Sequence, residues 1–185
     1  MVSLLVVFYI FVIVFAIIGL IRGWAQELLV TFGLILSFFL INVMETFMPK
    51  FNAAVMVADG STKQFWIRII IILLLVYFGY QTPKLSRLAT MVKKEKITDS
   101  ILGFFLGGIN GYLVAGSLWY YLAQAGYPTQ NFIDPESLIG MDIVGTQARA
   151  AFDFVSYLPP VWIGSPPGLY IAVGLAFLIV LVVFV

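Results

Sequence analysis

Runs of apolar residues, broken by short polar or proline-containing stretches, set the organisation of this chain. The first, Val2 to Ile21, is apolar from its second residue. About 20 residues make a helix of roughly 30 Å, which matches the hydrocarbon core of a bilayer. It lacks a basic leading region and a small-residue cleavage site, so it is expected to be a retained span and not a signal peptide. A second run extends from near Glu27 to about Phe47, with Pro49 just beyond, and a third from about Phe65 to Gln81, closed by Pro83. A fourth occupies about Ile101 to Tyr121. Only Arg22, Gly23, Trp24 and the next few residues separate the first run from the second, so those two helices are expected to be antiparallel neighbours.

Between Gly126 and Pro167 the apolar residues become periodic instead of continuous. Asp134-Pro135-Glu136 is a helix-start signal, with an N-cap acceptor, a proline at the first helical position and an acid in the first turn. Leu138, Met141, Val144, Ala148, Ala151, Phe152 and Val155 fall on one face, while Asp142, Arg149, Asp153 and Ser156 fall mainly elsewhere. This predicts an amphipathic helix over about 135–157, lying on the bilayer surface or packed over the end of the bundle. After Pro159, Pro160, Pro166 and Pro167, a last uncharged run from Gly168 to Val185 is near the lower length limit for spanning. The pattern as a whole predicts an all-α integral membrane protein. It has a four-span helical bundle over 1–126, an outer-side loop with an interfacial amphipathic helix over 127–167, and an extra C-terminal fifth transmembrane helix over 168–185.

Composition agrees and narrows the chemistry. The chain is 62% hydrophobic and 10% charged, against about 45–50% and 25% in soluble domains, which excludes a water-soluble globule. It has no Cys and no His, so disulfides, thiolate metal sites and histidine-ligated cofactors are all unavailable to it. No cofactor is expected beyond a lipid or pigment held by contact alone. Ser, Thr and Tyr have no evident base beside them, and no span holds paired carboxylates at its middle, Glu45 near the end of the second run being the nearest approach. An enzyme is not expected. The expected partners are membrane lipid and other membrane protein subunits, with no nucleic acid and no soluble small-molecule substrate.

Charge distribution predicts the topology. Lys84, Arg87, Lys93, Lys94 and Lys96 crowd the break between the third and fourth runs, and Arg22 lies in the first hairpin on the same side. The excess of positive charge on cytoplasmic loops places both inside, with the N-terminus outside, the C-terminus inside, and the basic residues near lipid headgroups. Asp134, Glu136, Asp142 and Asp153 against Arg149 suit the opposite side. Trp66, Trp119-Tyr120-Tyr121 and Trp162 would then form an outer aromatic belt, with Trp24 and Tyr80 at the inner one. Arg68, in the first turn of the third span, is expected to snorkel to the headgroups.

Two groups of residues stand out within the spans. Gly103, Gly107, Gly111 and Ala115 recur every fourth position, a small-residue stripe that lets another helix approach closely. Asn110 flanks it as a helix-packing amide, and Asn42 in the second span is a candidate partner by type. The second group is an interfacial polar motif of Arg22, Gly23, Glu27 and Asp99. Arg22 and Glu27 are close enough to pair across the hairpin, and Asp99, just ahead of the fourth span, suits its N-cap.

These two groups carry a family resemblance. Gly19-Leu-Ile-Arg22-Gly23-Trp24-Ala-Gln-Glu27 and Asp99-Ser-Ile-Leu102-Gly103-Phe-Phe-Leu-Gly107-Gly-Ile-Asn110-Gly111 are similar to the paired motifs of the CvpA, or colicin V production, family of bacterial inner-membrane proteins. Ser100 and Asn110 stand where that family often has basic residues, and the run from Gly168 lies beyond its usual extent. The resemblance covers about Val2 to Leu158. It implies four spans with an amphipathic segment, and a role in colicin V export and envelope maintenance. The first functional expectation is therefore a non-enzymatic scaffold or accessory in that role. The alternative is an accessory structural subunit of a larger respiratory or photosynthetic membrane complex. A transporter or channel has less support, because no discontinuous span or midplane ion site is present.

Overall fold

The computed structural model describes residues 4–48, 61–81, 96–125 and 154–184. They form helices α1 (Leu4–Arg22), α2 (Trp24–Phe47), α3 (Ser61–Gln81), α4 (Lys96–Gln124), the single turn α5 (Pro159–Trp162) and α6 (Gly168–Phe184), with no strand among the described residues. Leu4–Arg22, Trp24–Phe47, Thr62–Gln81 and Ile97–Gln124 are long and apolar enough to cross a membrane. The chain is thus an all-α membrane protein built on four candidate spans.

The chain changes direction between α1 and α2 at one residue. Gly23 holds φ at +86°, a left-handed value that glycine adopts without the Cβ penalty. This places the end of α1, the start of α2, the end of α3 and the start of α4 together, here called the hairpin end. Although joined so closely, α1 and α2 touch little, because α1 lies mainly along α4. The expected antiparallel pair is present at the hairpin, and from there its two helices pack mainly on other elements. Half of the α4 span is buried, compared with 17% of α1, so α4 is the central element and α1 sits at the edge. In a bilayer, the outward Tyr9, Ile10, Ile13 and Ile17 of α1 face a solvent as apolar as themselves.

Glycine explains the intimacy of α1 and α4. A Cβ added to Gly19 would fall on the Gly103 carbonyl oxygen and 2.9 Å from the Gly107 Cα. One on Gly107 would fall on the Phe15 carbonyl oxygen, and one on Gly111 would lie 2.8 Å from the Phe15 Cβ. The two backbones are in contact over three turns, and Ala115 continues the line as a buried residue beside Phe8 and Trp119. A second, shorter approach joins α2 and α3, where a Cβ on Gly33 would come within 2.9 Å of the Leu75 carbonyl oxygen. Around it, Val30, Leu34, Phe38 and Ile41 of α2 interleave with Phe65, Ile69, Ile72 and Val76 of α3 and with Leu113, Val114 and Tyr121 of α4. The α2 and α3 members recur at three- and four-residue spacing, the core-facing stripe of each of those helices.

α4 runs from Lys96 to Gln124, longer than the expected Ile101 to Tyr121, since its polar first turn includes an Asp99 already engaged by a neighbouring helix. Lys84, Arg87, Lys93 and Lys94 lie outside the described residues, and Lys96 opens α4. Most of the expected amphipathic helix also lies outside them. What is described begins at Phe154, where Phe154 and Val155 pack against the cluster of Phe8, Ala115, Trp119 and Leu158. Pro159 then rests in the notch left by Gly116, and Tyr112 donates to the Tyr157 carbonyl while accepting from Trp162 Nε1 at 3.3 Å. α6 is apolar throughout and packs on α2 through buried Leu169 and Ala176, but its 17 residues make it shorter than the four spans.

Two of the aromatics expected in the outer belt are buried within the bundle. Trp119 and Tyr121 are 4% and 6% exposed, whereas Trp66 and Trp162 are more than half exposed. Trp119 is wedged between Phe8 and Phe154, and Tyr121 is covered by the guanidinium of Arg68.

The seam makes a sharp prediction, because Gly107 and Gly108 are neighbours with opposite surroundings. A Cβ on Gly108 would meet only the Ala16 Cβ at an ordinary 3.7 Å. Gly107→Ala is expected to destabilise the detergent-solubilised protein by about 1–3 kcal/mol through overpacking. Gly108→Ala should leave stability unchanged or raise it by up to about 1 kcal/mol through helix propensity. Unfolding measurements on the two variants check the difference.

Candidate functional site

The most polar place in the bundle is built around Glu27, in the first turn of α2 at the hairpin end. Its side chain has no exposed surface, and a carboxylate in such a place requires partners on every side. They come from three other helices. Arg22, the last residue of α1, donates from Nη1 to Glu27 Oε1 at 3.1 Å. Asn110 of α4, also fully buried, donates from Nδ2 to Glu27 Oε2 at 2.9 Å and to the Glu27 carbonyl at 3.0 Å. Tyr80, at the end of α3, reaches Oε2 with its hydroxyl at 3.5 Å. One carboxylate thus joins α1, α2, α3 and α4.

The partners are themselves held. The Arg22 guanidinium stacks 4.3 Å over the Tyr80 ring, donates from Nη2 to the Tyr80 carbonyl at 3.3 Å, and donates from Nε to Gln26 at 3.2 Å. Both amide hydrogens of Asn110 are used, and its oxygen lies 2.7 Å from the Thr31 hydroxyl. Thr31 is one turn beyond Glu27 and also lies 3.1 Å from the Glu27 carbonyl, so its single hydrogen serves one acceptor at a time. Asp99 completes the hairpin end in an unexpected way. It lies inside the first turn of α4, and its Oδ1 accepts from the backbone N–H of Trp24 at 3.1 Å. The N-terminus it caps is that of α2, not of its own helix. Gly23 is required beneath it, since a Cβ there would collide with the Asp99 carboxylate.

A second polar group ties the opposite end. Arg68 of α3 donates from Nε to Glu45 of α2 at 2.7 Å and from Nη1 to Gln124 of α4 at 2.6 Å, with its guanidinium 4.7 Å from the Tyr121 ring centroid. Arg68 thus reaches toward the helix ends, where Gln124 closes α4 and Glu45 lies in the last turn of α2. The carboxylate, the amide and the aromatic face hold the side chain against its neighbours, where it is 12% exposed. Among the described residues no group of three acidic side chains is gathered as a metal would need.

The structure brings Arg22, Gly23, Glu27, Asp99 and Asn110 into one site and sets Gly103, Gly107 and Gly111 in the α1 seam beside it. It does not join Asn42 to Asn110. Asn42 accepts instead from the Tyr170 hydroxyl of α6 at 3.4 Å, on the far half of α2, while Glu27 supplies the partner for Asn110. The sequence motifs leave out Thr31 and Gln26, and name Tyr80 only as an inner-belt aromatic. Thr31 could have been found as the residue four beyond Glu27 on one helix face; Tyr80 offers no local signal, because only the fold brings the end of α3 beside Arg22.

The family model of the Colicin V production protein matches residues 5–141. The chain belongs to that family. The match covers α1 to α4 and with them every residue of the Glu27 site, while α5 and α6 lie beyond it. No curated protein and no solved structure gives a match.

Removing one member of a buried ion pair costs more than removing both. Arg22→Leu is expected to destabilise by about 3–5 kcal/mol, since it leaves Glu27 buried without its cation, and adding Glu27→Leu should recover much of that loss. Asn110→Leu should cost about 1–3 kcal/mol, because it strips donors from a buried carboxylate. A thermodynamic cycle from unfolding midpoints in detergent reads the coupling, and additive effects of Arg22→Leu and Glu27→Leu would contradict the pairing.

Proposed function

We propose that this member of the colicin V production family is a non-enzymatic scaffold or export accessory of the bacterial cytoplasmic membrane, active in envelope maintenance through its outer helix surfaces. The observation that carries this reading is the use of polar groups within the bundle. At the hairpin end, Arg22, Glu27, Asn110, Thr31 and Tyr80 bind one another; at the other, Arg68 binds Glu45 and Gln124. The clefts along its flanks, between α1, α3 and α4, between α2 and α6, and between α1 and α4, have almost wholly apolar walls. Polar groups engaged in this way hold helices in register; they do not line a path for ions or present a nucleophile to a substrate.

In this reading the hairpin end faces the cytoplasm, as the basic residues from Lys84 to Lys96 suggest, and the N-terminus lies outside. α6, which starts at the far end against Asn42 and Phe39, crosses as a fifth span and returns the C-terminus to the cytoplasm. A reporter fused after Lys94 should be active only as a cytoplasmic fusion, and an outward signal would overturn the orientation. Purification from the native membrane in mild detergent tests the role. Recovery alone or with envelope or export proteins is expected. Stoichiometric recovery with a respiratory or photosynthetic complex would replace this reading with that of an accessory subunit.

A further inference from the structure

At the end opposite the hairpin, α1 and α3 both rest on α4 but leave a cleft of about 200 Å³ between them. Val7 and Phe11 of α1, Phe65 of α3 and Leu118 and Trp119 of α4 wall it, and Ala115 lies beneath. A closed apolar cavity of about 150 Å³ stays dry and takes up benzene or xenon instead of water. Around helices that cross a bilayer, the hydrocarbon at hand to fill such a space is a lipid acyl chain.

A second observation comes from Trp119 itself. It is 4% exposed, and its indole Nε1 is the one buried side-chain polar atom among the described residues without a hydrogen-bond partner. A buried tryptophan N–H ordinarily finds an acceptor. Depth suggests which. The 29 residues of α4 make about 43 Å against roughly 30 Å of hydrocarbon, so a centred α4 overhangs by roughly 7 Å at each end. Trp119, about 7 Å short of Gln124, then lies where the hydrocarbon meets the ester layer.

We propose that this cleft holds one acyl chain of a bilayer phospholipid, with the ester carbonyl of that chain accepting a hydrogen bond from Trp119 Nε1. The nitrogen is covered in the unliganded cleft, so this hydrogen bond requires the indole to turn from its place between Phe8 and Phe154 toward the cleft that Trp119 lines. The site is separate from the Glu27 cluster and stands whether or not the scaffold role does. A held chain differs from those of the surrounding lipid by its slow exchange.

The full-length protein, purified in mild detergent and washed, should retain about one phospholipid per chain by native mass spectrometry. Val7→Trp and Ala115→Phe, which fill the cleft from two sides, should bring this to the level of a wash blank. Trp119→Phe should weaken retention about threefold, the fold-change that an average hydrogen bond in a membrane implies. Wild-type protein without phospholipid, full retention in both filled variants, or a visible absorbance band of a pigment in place of phospholipid would overturn the proposal. A second measurement does not depend on the filled variants folding. With Trp24, Trp66 and Trp162 replaced by Phe, the protein is reconstituted in brominated phosphatidylethanolamine vesicles and fused into excess unbrominated lipid. Trp119 fluorescence should stay quenched after the surrounding lipid has exchanged; immediate recovery, or no quenching at the outset, would refute a held chain.

Discussion

Glu27 constrains the placement of four helices at once. A carboxylate shut away from solvent is tolerated only when its oxygens are met by hydrogen-bond donors or a cation. Here those groups arrive from the end of α1, the end of α3 and the interior of α4. Each contact is modest alone, since hydrogen bonds between membrane helices contribute about 0.6 kcal/mol on average. Their effect on geometry is larger than their effect on stability. A helix moved by one residue would withdraw its group and leave a buried carboxylate short of a partner, so the cluster adds to the glycine contacts in fixing the register.

The glycine seam makes that convergence possible. Arg22 can reach Glu27 only because α1 stops beside α4 and the chain re-enters α2 after a single residue. Gly19 against Gly103 and Gly107 brings the backbones together, and Gly23 supplies the left-handed turn. Asp99 then closes the arrangement by capping α2 from α4. Gly23 thus serves twice, in its conformation and in the space it leaves for the Asp99 carboxylate. The stripe and the polar motif, separate features along the chain, are one joint in space.

The four spans were legible because bilayer thickness acts on each segment independently: about 20 apolar residues are needed whatever the neighbours do. Polar residues marked for depth or motif, namely Arg22, Glu27, Asp99 and Asn110, do lie at one place, since polar groups buried between helices must find partners. Partner choice was less legible. Asn42 and Asn110 match by type but sit toward opposite ends of the bundle, and Asp99 proved to cap a helix other than its own. Arg68 shows the same limit. Its position near a helix end suits snorkelling, but its partners Glu45, Gln124 and Tyr121 come from two other helices and leave no local signal beside it. Residue type suits Trp119 and Tyr121 to the belt but does not say which way they face, which Phe8, Phe154 and Arg68 around them decide.

The two ends of the bundle consequently have different mechanics. At the hairpin end, four helices share one polar cluster and two of them touch through glycine. At the far end, Arg68 ties α2, α3 and α4, but α1 has no part in that network. It is met there by aromatic contacts of Phe8 with Tyr112, Trp119 and Phe154, which are larger and less directional than a salt bridge. A helix fixed at one end by ionic and backbone contacts and at the other by adaptable apolar ones moves most readily at the apolar end. Any change that a partner or lipid imposes on this fold is therefore concentrated where α1 leaves α3, on the face bordered by Phe11, Phe65 and Trp119, while the Glu27 joint acts as the fixed point.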